Sequence, residues 1–321
     1  MRLPVNQTAL AAPLRAAPDT ARGSAPVAGA WAHIPPPAAG VSRVRPLPYE
    51  ATASYLKRLA GFYRLTLSQL LDGCGITLNG HGTTPTAELA LSPAAAHHIT
   101  ILSRIPMRHL THALPRLPHP GSPGPGPTAH WKPLDALHRP VAACTLCTRR
   151  HSQGTTGAAW IHRPWHQLVC PRHHQATPDP RLDTPVHTKT VPELVTARHA
   201  HRRLLRHPRG KSAWMTARAI TTRWYDQQQH LTERWHHRLN QLIVLNTHLD
   251  RVGNASAVLL ARDLVIYPET VVLARTLAAL PRYRTQRPRE ALTAIGHRLG
   301  LSRFTPTTSD ALATYLTRTR H

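Results

Sequence analysis

Apolar residues in the first part of the chain recur with the period of an α-helix. After Glu50 they stand three and four positions apart, at Tyr55, Leu56, Leu59 and Phe62. This spacing places them on one helix face. Thr66 then provides a side-chain cap for a second, short helix, and Gly73 provides its end. The pattern predicts two helices joined by a short turn, which is the geometry of a helix-turn-helix.

The same helical period returns in the last third of the chain. Trp214, Trp224 and Trp235 each belong to a series of apolar residues spaced three and four apart. Aromatic residues in such a series usually contribute large buried areas to a core. We therefore predict a bundle of short helices in which these three tryptophans anchor the core.

Proline and glycine divide the chain into segments. Residues 1–42 alternate Ala, Pro, Gly and Arg without a period, which predicts a disordered basic tail. Residues 76–92 are expected to form a loop, and prolines predict a spacer at 115–137 and a linker at 177–192. The sequence thus predicts a mainly α, multi-domain protein. Its ordered parts are a helix-turn-helix-like head at 43–114, a small module at 138–176 and a helical basic C-terminal domain at 193–321.

Basic residues greatly outnumber acidic ones. The 321 residues include 40 Lys and Arg but only 15 Asp and Glu, for a formal net charge of +25. Such an excess repels itself unless a polyanion is usually bound, and this indicates double-stranded DNA as a partner. A biased base composition of the genome would also raise the arginine content, but it would not explain why acidic residues are so scarce.

No apolar stretch approaches the length of a membrane span, and the first residues lack the apolar core of a secretion signal. No predicted helix combines a basic face with the large apolar face that binds a membrane surface. We therefore expect a cytoplasmic, nucleoid-associated protein that does not bind a membrane.

Polar and basic side chains outside the apolar helix faces are the candidate DNA contacts. Arginines bind phosphate without reading the sequence, whereas polar side chains on the second helix of the head can reach base edges. The predicted contacts are Arg58, Arg64, Ser68, Gln69, Arg202, Arg203, Arg218, Arg223, Arg234 and Arg238.

Three of the four cysteines have the spacing of a metal site. Cys144 and Cys147 are separated by two residues, as are Cys170 and His173. Two such knuckles can meet tetrahedrally around one Zn²⁺ and leave no position for water, so the spacing predicts a closed, structural zinc site. The alternative is that small buried thiols and a histidine have this spacing by coincidence. Cys74, the fourth cysteine, is expected to be a small buried residue.

The residues around this site resemble the zinc-finger core of the TniQ family, whose members help transposons choose where to insert. An aromatic-rich segment with Trp165 follows the first knuckle and leads to Val169-Cys170-Pro171-x-His173.

The amino-terminal side is similar to the same family. Pro48, Glu50, Ser54 and the run Tyr55-Leu56-Lys57-Arg58-Leu59-Ala60 match its opening motif, with Tyr55 where a tryptophan is usual. The similarity extends over about residues 43–175.

The resemblance implies a DNA-binding adaptor. Its zinc module and helical domains would recognise a target site, or a target-bound complex, and recruit the AAA ATPase and transposase of a transposon. One alternative is a zinc-containing transcription regulator or a domesticated DNA-binding protein, which would look nearly identical in sequence.

A second alternative is a nuclease of the His-metal-finger type, because His173-His174 forms a histidine doublet at the second knuckle. The Asp-His pair that such an enzyme needs ahead of the doublet is missing. A closed four-ligand site also leaves no coordination position for catalysis. The sequence has neither a GxxxxGK[ST] phosphate loop nor a recognisable carboxylate triad, so we predict that the chain is not an enzyme.

Overall fold

The computed structural model describes residues 39–40, 43–118, 126–152, 154, 156–251, 256–279, 288–301, 304–307 and 309–318. The chain forms two compact units. The N-terminal unit comprises Met1–His138 and Arg149–Thr156, and the C-terminal unit comprises Arg139–Thr148 and Gly157–His321. Helices make up most of the regular structure, which confirms the prediction of a mainly α fold.

The N-terminal unit contains four helices and a small sheet among its described residues. In chain order these are α1 (Thr52–Phe62), α2 (Leu67–Gly73), β1 (Thr77–Asn79), β2 (Ala87–Leu91), α3 (Pro93–Ser103), α4 (Met107–Ala113) and β3 (Thr128–Pro133). A short 3-10 helix, Ala136–His138, follows β3. The next helix, α5 (Thr145–His151), begins in the C-terminal unit and ends in the N-terminal one.

Capping residues determine where two of these helices begin. The Thr66 hydroxyl accepts a hydrogen bond from the Gln69 N–H (3.2 Å), and the Gln69 side-chain oxygen accepts one from the Thr66 N–H (2.9 Å). At α3, the Ser92 hydroxyl accepts from the Ala95 N–H (3.1 Å), and Pro93 fits the first helical position because its missing N–H is not needed there. The two predicted helices of the head are thus present as α1 and α2.

A three-stranded sheet corrects two predictions about this unit. β3 lies between β1 and β2, parallel to β1 and antiparallel to β2, with Leu89 opposite Trp131. We had predicted a loop at 76–92 and a spacer at 115–137. Strand signals were weak because β1 and β3 bury few side chains and β3 follows a run of prolines. Pro133 is tolerated as the last residue of its strand.

The core of the N-terminal unit lies between its helices and this sheet. The apolar face predicted for α1 is buried there: Leu56 and Leu59 pack in one cluster with Leu71, Leu89 and Ile99. Cys74 is buried in the same cluster, as we expected.

The C-terminal unit contains short strands followed by helices. The strands are β4 (Val141–Ala142), β5 (Trp160–Ile161), β6 (Val169–Cys170), β7 (Gln175–Ala176) and β8 (Val186–His187). The helices are α6 (Glu193–Leu204), α7 (Gly210–Asp226), α8 (Thr232–Leu245), α9 (Ala257–Val265), α10 (Tyr267–Ala278), α11 (Pro288–Arg298) and α12 (Ala311–Arg318). β4 pairs with β5, and β6, β7 and β8 form an antiparallel sheet in that order.

The prediction that residues 177–192 form a linker between a small module and a helical domain is wrong. Leu182, Val186 and Val191 are fully buried in one apolar core with Val169 and Trp224. The prolines of this segment indicated a linker, but its apolar residues pack under the helices. The strands around the predicted metal ligands and the C-terminal helices therefore fold as one unit.

The three tryptophans anchor this core, as predicted. Trp214, Trp224 and Trp235 are buried. The indole N–H of Trp224 donates to Asp310 Oδ2 (2.9 Å), and that of Trp235 donates to Glu269 Oε2 (3.2 Å). These bonds satisfy the polar atoms that burial of two indole rings removes from water.

The predicted disordered tail at 1–42 lies outside the described residues, except for Ala39 and Gly40. Within the described part of the chain, no helix has both the length and the apolar content needed to cross a membrane.

Candidate metal centre

Two turns of the C-terminal unit carry the four predicted metal ligands. Cys144 lies immediately before α5, and Cys147 lies in the first turn of that helix. Cys170 is the last residue of β6, and His173 lies in the turn between β6 and β7. The pairing of β6 with β7 closes this turn, so the strands hold the second pair of ligands close together.

The ligand atoms of these residues converge on one point. All four lie within 4.8 Å of one another. His173 Nδ1 is 3.3 Å from the sulfurs of Cys144 and Cys147 and 3.7 Å from that of Cys170. The sulfurs of Cys147 and Cys170 are 3.8 Å apart.

These distances fit a tetrahedral metal ion. Metal–sulfur bonds of about 2.3 Å and a metal–nitrogen bond of about 2.0 Å imply S–S separations of about 3.8 Å and S–N separations of about 3.5 Å. The observed separations lie within a few tenths of an ångström of both values. The residues present therefore suit a single metal ion bound by three thiolates and one imidazole.

Hydrogen bonds among the thiols shift the pKa values of Cys147 and Cys170 in opposite directions. Bonds from Cys144 and then Cys147 lower the pKa of Cys170, because they stabilise its thiolate. The pKa of Cys147 is raised, first by its hydrogen bond with Cys144 and then by the one with Cys170. Without a cation, the cluster thus holds one thiolate readily and resists forming more. A divalent metal removes this resistance by binding each sulfur as a thiolate.

Gln175 joins the two knuckles, although the sequence analysis did not identify it. Its side-chain oxygen accepts hydrogen bonds from the N–H (3.1 Å) and the hydroxyl (3.2 Å) of Thr145, the residue after Cys144. The side chain is buried, so these bonds are not shared with bulk water. Thr148 supports the first knuckle in the same way: its N–H and its hydroxyl both donate to the carbonyl of Cys144 (2.9 and 3.1 Å).

The second histidine of the doublet is not among the four ligands. His174 adopts a left-handed conformation (φ 49°), and its N–H donates to the carbonyl of Cys170 (2.9 Å). Its backbone therefore closes the turn that presents Cys170 and His173.

Arg58, a predicted DNA contact, is instead part of a buried ion pair. The side chain is only 3% exposed. Its Nε and Nη2 donate to the two carboxylate oxygens of Glu50 (2.8 and 2.6 Å), and Nη1 donates to Ser152 Oγ (2.9 Å). The prediction was wrong because Arg58 completes the hydrogen bonding of a carboxylate that would otherwise be buried without a partner.

Arg238 is a second predicted contact that the structure buries. Its guanidinium donates to both carboxylate oxygens of Glu269 (2.9 and 3.0 Å) and to Glu193 Oε1 (3.1 Å), and it also bonds the carbonyl of Val265. At 3% exposure it cannot reach a phosphate. It connects α8 to α6 and α10, which corrects the predicted role.

Three further predicted contacts are engaged within the protein. Arg218 Nη2 lies 3.1 Å from both carboxylate oxygens of Asp263, and its guanidinium lies over the ring of Trp165. Arg234 donates to the carbonyl of Leu299 (2.8 Å) and is 3.6 Å from Glu269. The side-chain oxygen of Gln69 is used in the cap of α2.

The other predicted DNA contacts are exposed. They are Arg64, Ser68, Arg202, Arg203 and Arg223. Arg202 and Arg203 belong to a basic face of α6, where they line an open cleft of about 490 Å³ with His199 and Arg206. We name these four positions the α6 basic face: His199, Arg202 and Arg203 lie on α6, and Arg206 lies in the turn just after it. Sequence analysis omitted His199 and Arg206, although the helical spacing of the segment would have identified them.

A family model described as TniQ matches residues 41–176. This range includes Glu50 and Arg58 in the N-terminal unit and all four candidate ligands in the C-terminal unit. Comparisons with curated proteins and with solved structures gave no match. The matched range contains the opening motif and all four candidate ligands, which confirms the predicted resemblance of residues 41–176 to the TniQ family.

Proposed function

We propose that this chain is a non-enzymatic adaptor that binds double-stranded DNA at a transposition target and recruits the AAA ATPase and the transposase of a transposon. The observation that carries the proposal is the TniQ match, which contains all four candidate metal ligands. Binding to chromosomal DNA would place its action in the cytoplasm, in association with the nucleoid.

The metal in this proposal is one Zn²⁺ with a structural role. Three thiolates and an imidazole form a ligand set that zinc prefers, and four protein ligands complete a tetrahedral shell. Zinc bound there would hold the turn before β7 against the start of α5. A shell without an open position does not activate water, which supports a role in folding and not in catalysis.

The α6 basic face is the proposed phosphate-binding surface of the C-terminal unit. Arg202, Arg203 and Arg206 are exposed, and the only acidic residue of α6, Glu193, bonds to buried Arg238. Two arginines at the end of α6 and a third in the turn after it can contact neighbouring phosphates of a duplex and release counterions.

A salt series on duplex DNA tests this assignment. The variant Arg202→Ala/Arg203→Ala/Arg206→Ala should bind more weakly, and its log–log salt slope should be shallower by about 2 to 3 than that of the wild type. The matched control is Arg172→Ala/Lys189→Ala/Arg275→Ala, which removes the same charge from exposed positions elsewhere in the C-terminal unit. Equal slopes for the two variants would contradict a specific role of α6.

Two further measurements test the adaptor role itself. The chain bound to target DNA should capture the transposon ATPase, whereas the same DNA without the chain should not. Incubation with supercoiled plasmid and Mg²⁺ should produce no nicks. Nicking that is lost in His174→Ala would instead identify a nuclease and overturn the proposal.

A further inference from the structure

A cleft in the N-terminal unit concentrates cationic side chains that the proposed DNA contacts do not use. Its volume is about 790 Å³. The segment before α1, α4 and the end of α5 contribute three arginines and three histidines to its wall: Arg43, Arg45, Arg108, His109, His112 and His151. Among the residues that the structure describes, no carboxylate lines the cleft.

The arginines of this cleft are available to a ligand to different degrees. Arg43 donates from Nε and Nη2 to the carbonyl of Arg104 (3.1 and 2.8 Å), which fixes its orientation at the rim. The side chains of Arg45 and Arg108 are exposed, and neither forms an ion pair with another described residue. Two guanidinium groups are thus free to bind anions, and each can bind a carboxylate through two parallel hydrogen bonds.

His151 adds a polar group but no fixed charge. Its Nδ1 is buried and has no hydrogen-bond partner among the described residues. Burial lowers the pKa of His151, and the nearby guanidinium of Arg58 and the charges of Arg150 and Arg45 lower it further. His151 therefore adds little positive charge to the cleft near neutral pH.

Apolar residues complete the lining of the cleft. Pro46, Ile105, Pro106 and Ala113 contribute to it, and no Phe, Tyr or Trp is found among its described lining residues. A single-stranded nucleic acid usually requires aromatic rings on which its bases stack. An apolar surface edged by arginines instead suits a peptide that combines carboxylates with an apolar side chain.

We propose that this cleft, the cationic cleft, binds a short acidic segment of a protein partner. Carboxylates of the segment would bind Arg45 and Arg108, while an apolar side chain would contact Pro46 and Ile105. The inference deepens the proposed adaptor function, because it assigns a protein-docking site that is separate from the α6 basic face.

Fluorescence anisotropy on the full-length, metal-loaded chain tests the proposal. The probe is a fluorescein-labelled peptide rich in Glu and Asp with interspersed Leu, and its control carries Gln and Asn in place of the acids. We expect saturable binding of the acidic peptide only. The variant Arg45→Ala/Arg108→Ala should lose at least about tenfold in affinity, whereas Arg64→Ala/Arg116→Ala should lose less than about twofold.

The second pair of substitutions is a matched control, because Arg64 and Arg116 are exposed in the same unit and lie outside the cleft. Ala113→Leu fills part of the apolar lining without changing the charge, and it should also weaken peptide binding. Circular dichroism confirms that each variant is folded.

Equal loss in the two double variants would show that the peptide senses only the general charge and would overturn the proposal. So would a single-stranded oligonucleotide whose binding depends on Arg45 and Arg108 while that of the peptide does not. Duplex binding and its dependence on the α6 basic face are measured separately. Failure of the DNA-binding proposal can therefore be distinguished from failure of the peptide site.

Discussion

At the scale of single residues, the opening motif of the TniQ resemblance has a structural explanation. Glu50 accepts hydrogen bonds from the Leu47 N–H (2.8 Å), from Ser54 Oγ (3.0 Å) and from Arg58. The phenol of Tyr55 donates to the carbonyl of Val44 (3.2 Å). Glu50, Ser54, Tyr55 and Arg58 are buried and fix the segment before α1 to the helix, whereas Lys57 of the same motif is exposed.

Arg58→Ala should destabilise the N-terminal unit by about 3–5 kcal/mol, because it leaves the Glu50 carboxylate buried without its cation. Arg64→Ala, an exposed arginine two residues beyond α1, should change the free energy of unfolding by less than about 0.5 kcal/mol. Urea unfolding followed by circular dichroism measures both. If Arg58→Ala lost DNA affinity while its stability was unchanged, Arg58 would be a DNA contact after all.

His201 makes the stability of the C-terminal unit depend on pH. The imidazole is buried, stacked on Trp214 with 3.9 Å between ring centroids, and its Nδ1 is 3.1 Å from the Tyr267 hydroxyl. Burial, with a further effect of His166, lowers the pKa of His201 to about 4. The native state therefore excludes a proton that the unfolded chain binds below about pH 6.5.

The contribution of neutral His201 to the free energy of unfolding is thus fully present above about pH 6.5. It is lost as the pH falls towards 4, and the loss is about 3 kcal/mol at most. His201→Gln should flatten this dependence, whereas His199→Gln, on the exposed face of the same helix, should leave it unchanged. Tryptophan fluorescence during urea unfolding at a series of pH values measures the difference. Parallel pH curves for wild type and His201→Gln would contradict the assignment.

At the scale of elements, the metal centre depends on how two turns are held together. Cys144 precedes α5 and Cys147 lies in its first turn, whereas Cys170 ends β6 and His173 lies in the turn that follows. Gln175 connects these elements through Thr145. The ligands are therefore positioned by hydrogen bonds of the protein as well as by the metal.

Gln175→Ala removes the acceptor of the Thr145 N–H, and we expect the metal to be lost about 10- to 100-fold more readily to a chelator. Gln167→Ala, which changes a glutamine outside this contact, should retain the metal as the wild type does. Competition with a colorimetric chelator measures the retention. Equal retention in both variants would show that Gln175 does not support the site.

The sequence predicted those elements whose signals are local. Helical spacing and the Thr66 cap identified α1 and α2, and two-residue spacings identified the metal ligands. β1 and β3 were missed because their partners are distant in sequence and few of their side chains are buried. The pairing of Arg58 with Glu50 could not be predicted either, because the spacing of a helix shows its apolar face but not the carboxylate that approaches it.

At the scale of the whole molecule, the large excess of positive charge is distributed between different roles. Arg58 and Arg238 neutralise buried carboxylates, the α6 basic face is proposed to bind duplex DNA, and the cationic cleft is proposed to bind a protein partner. On this account, the arginines behind the formal charge of +25 serve structural as well as ligand-binding roles. Each unit has its own core and its own exposed arginines.

The measurement that tests the central claim most directly is elemental analysis of the purified, folded chain together with two cysteine variants. The wild type should contain about one zinc per chain, and chelation should unfold the metal-binding part of the C-terminal unit. Cys147→Ala should lose the zinc, whereas Cys74→Ala, which changes the cysteine outside the cluster, should retain it. A well-folded wild-type chain without bound metal, or equal zinc in Cys147→Ala, would contradict the account.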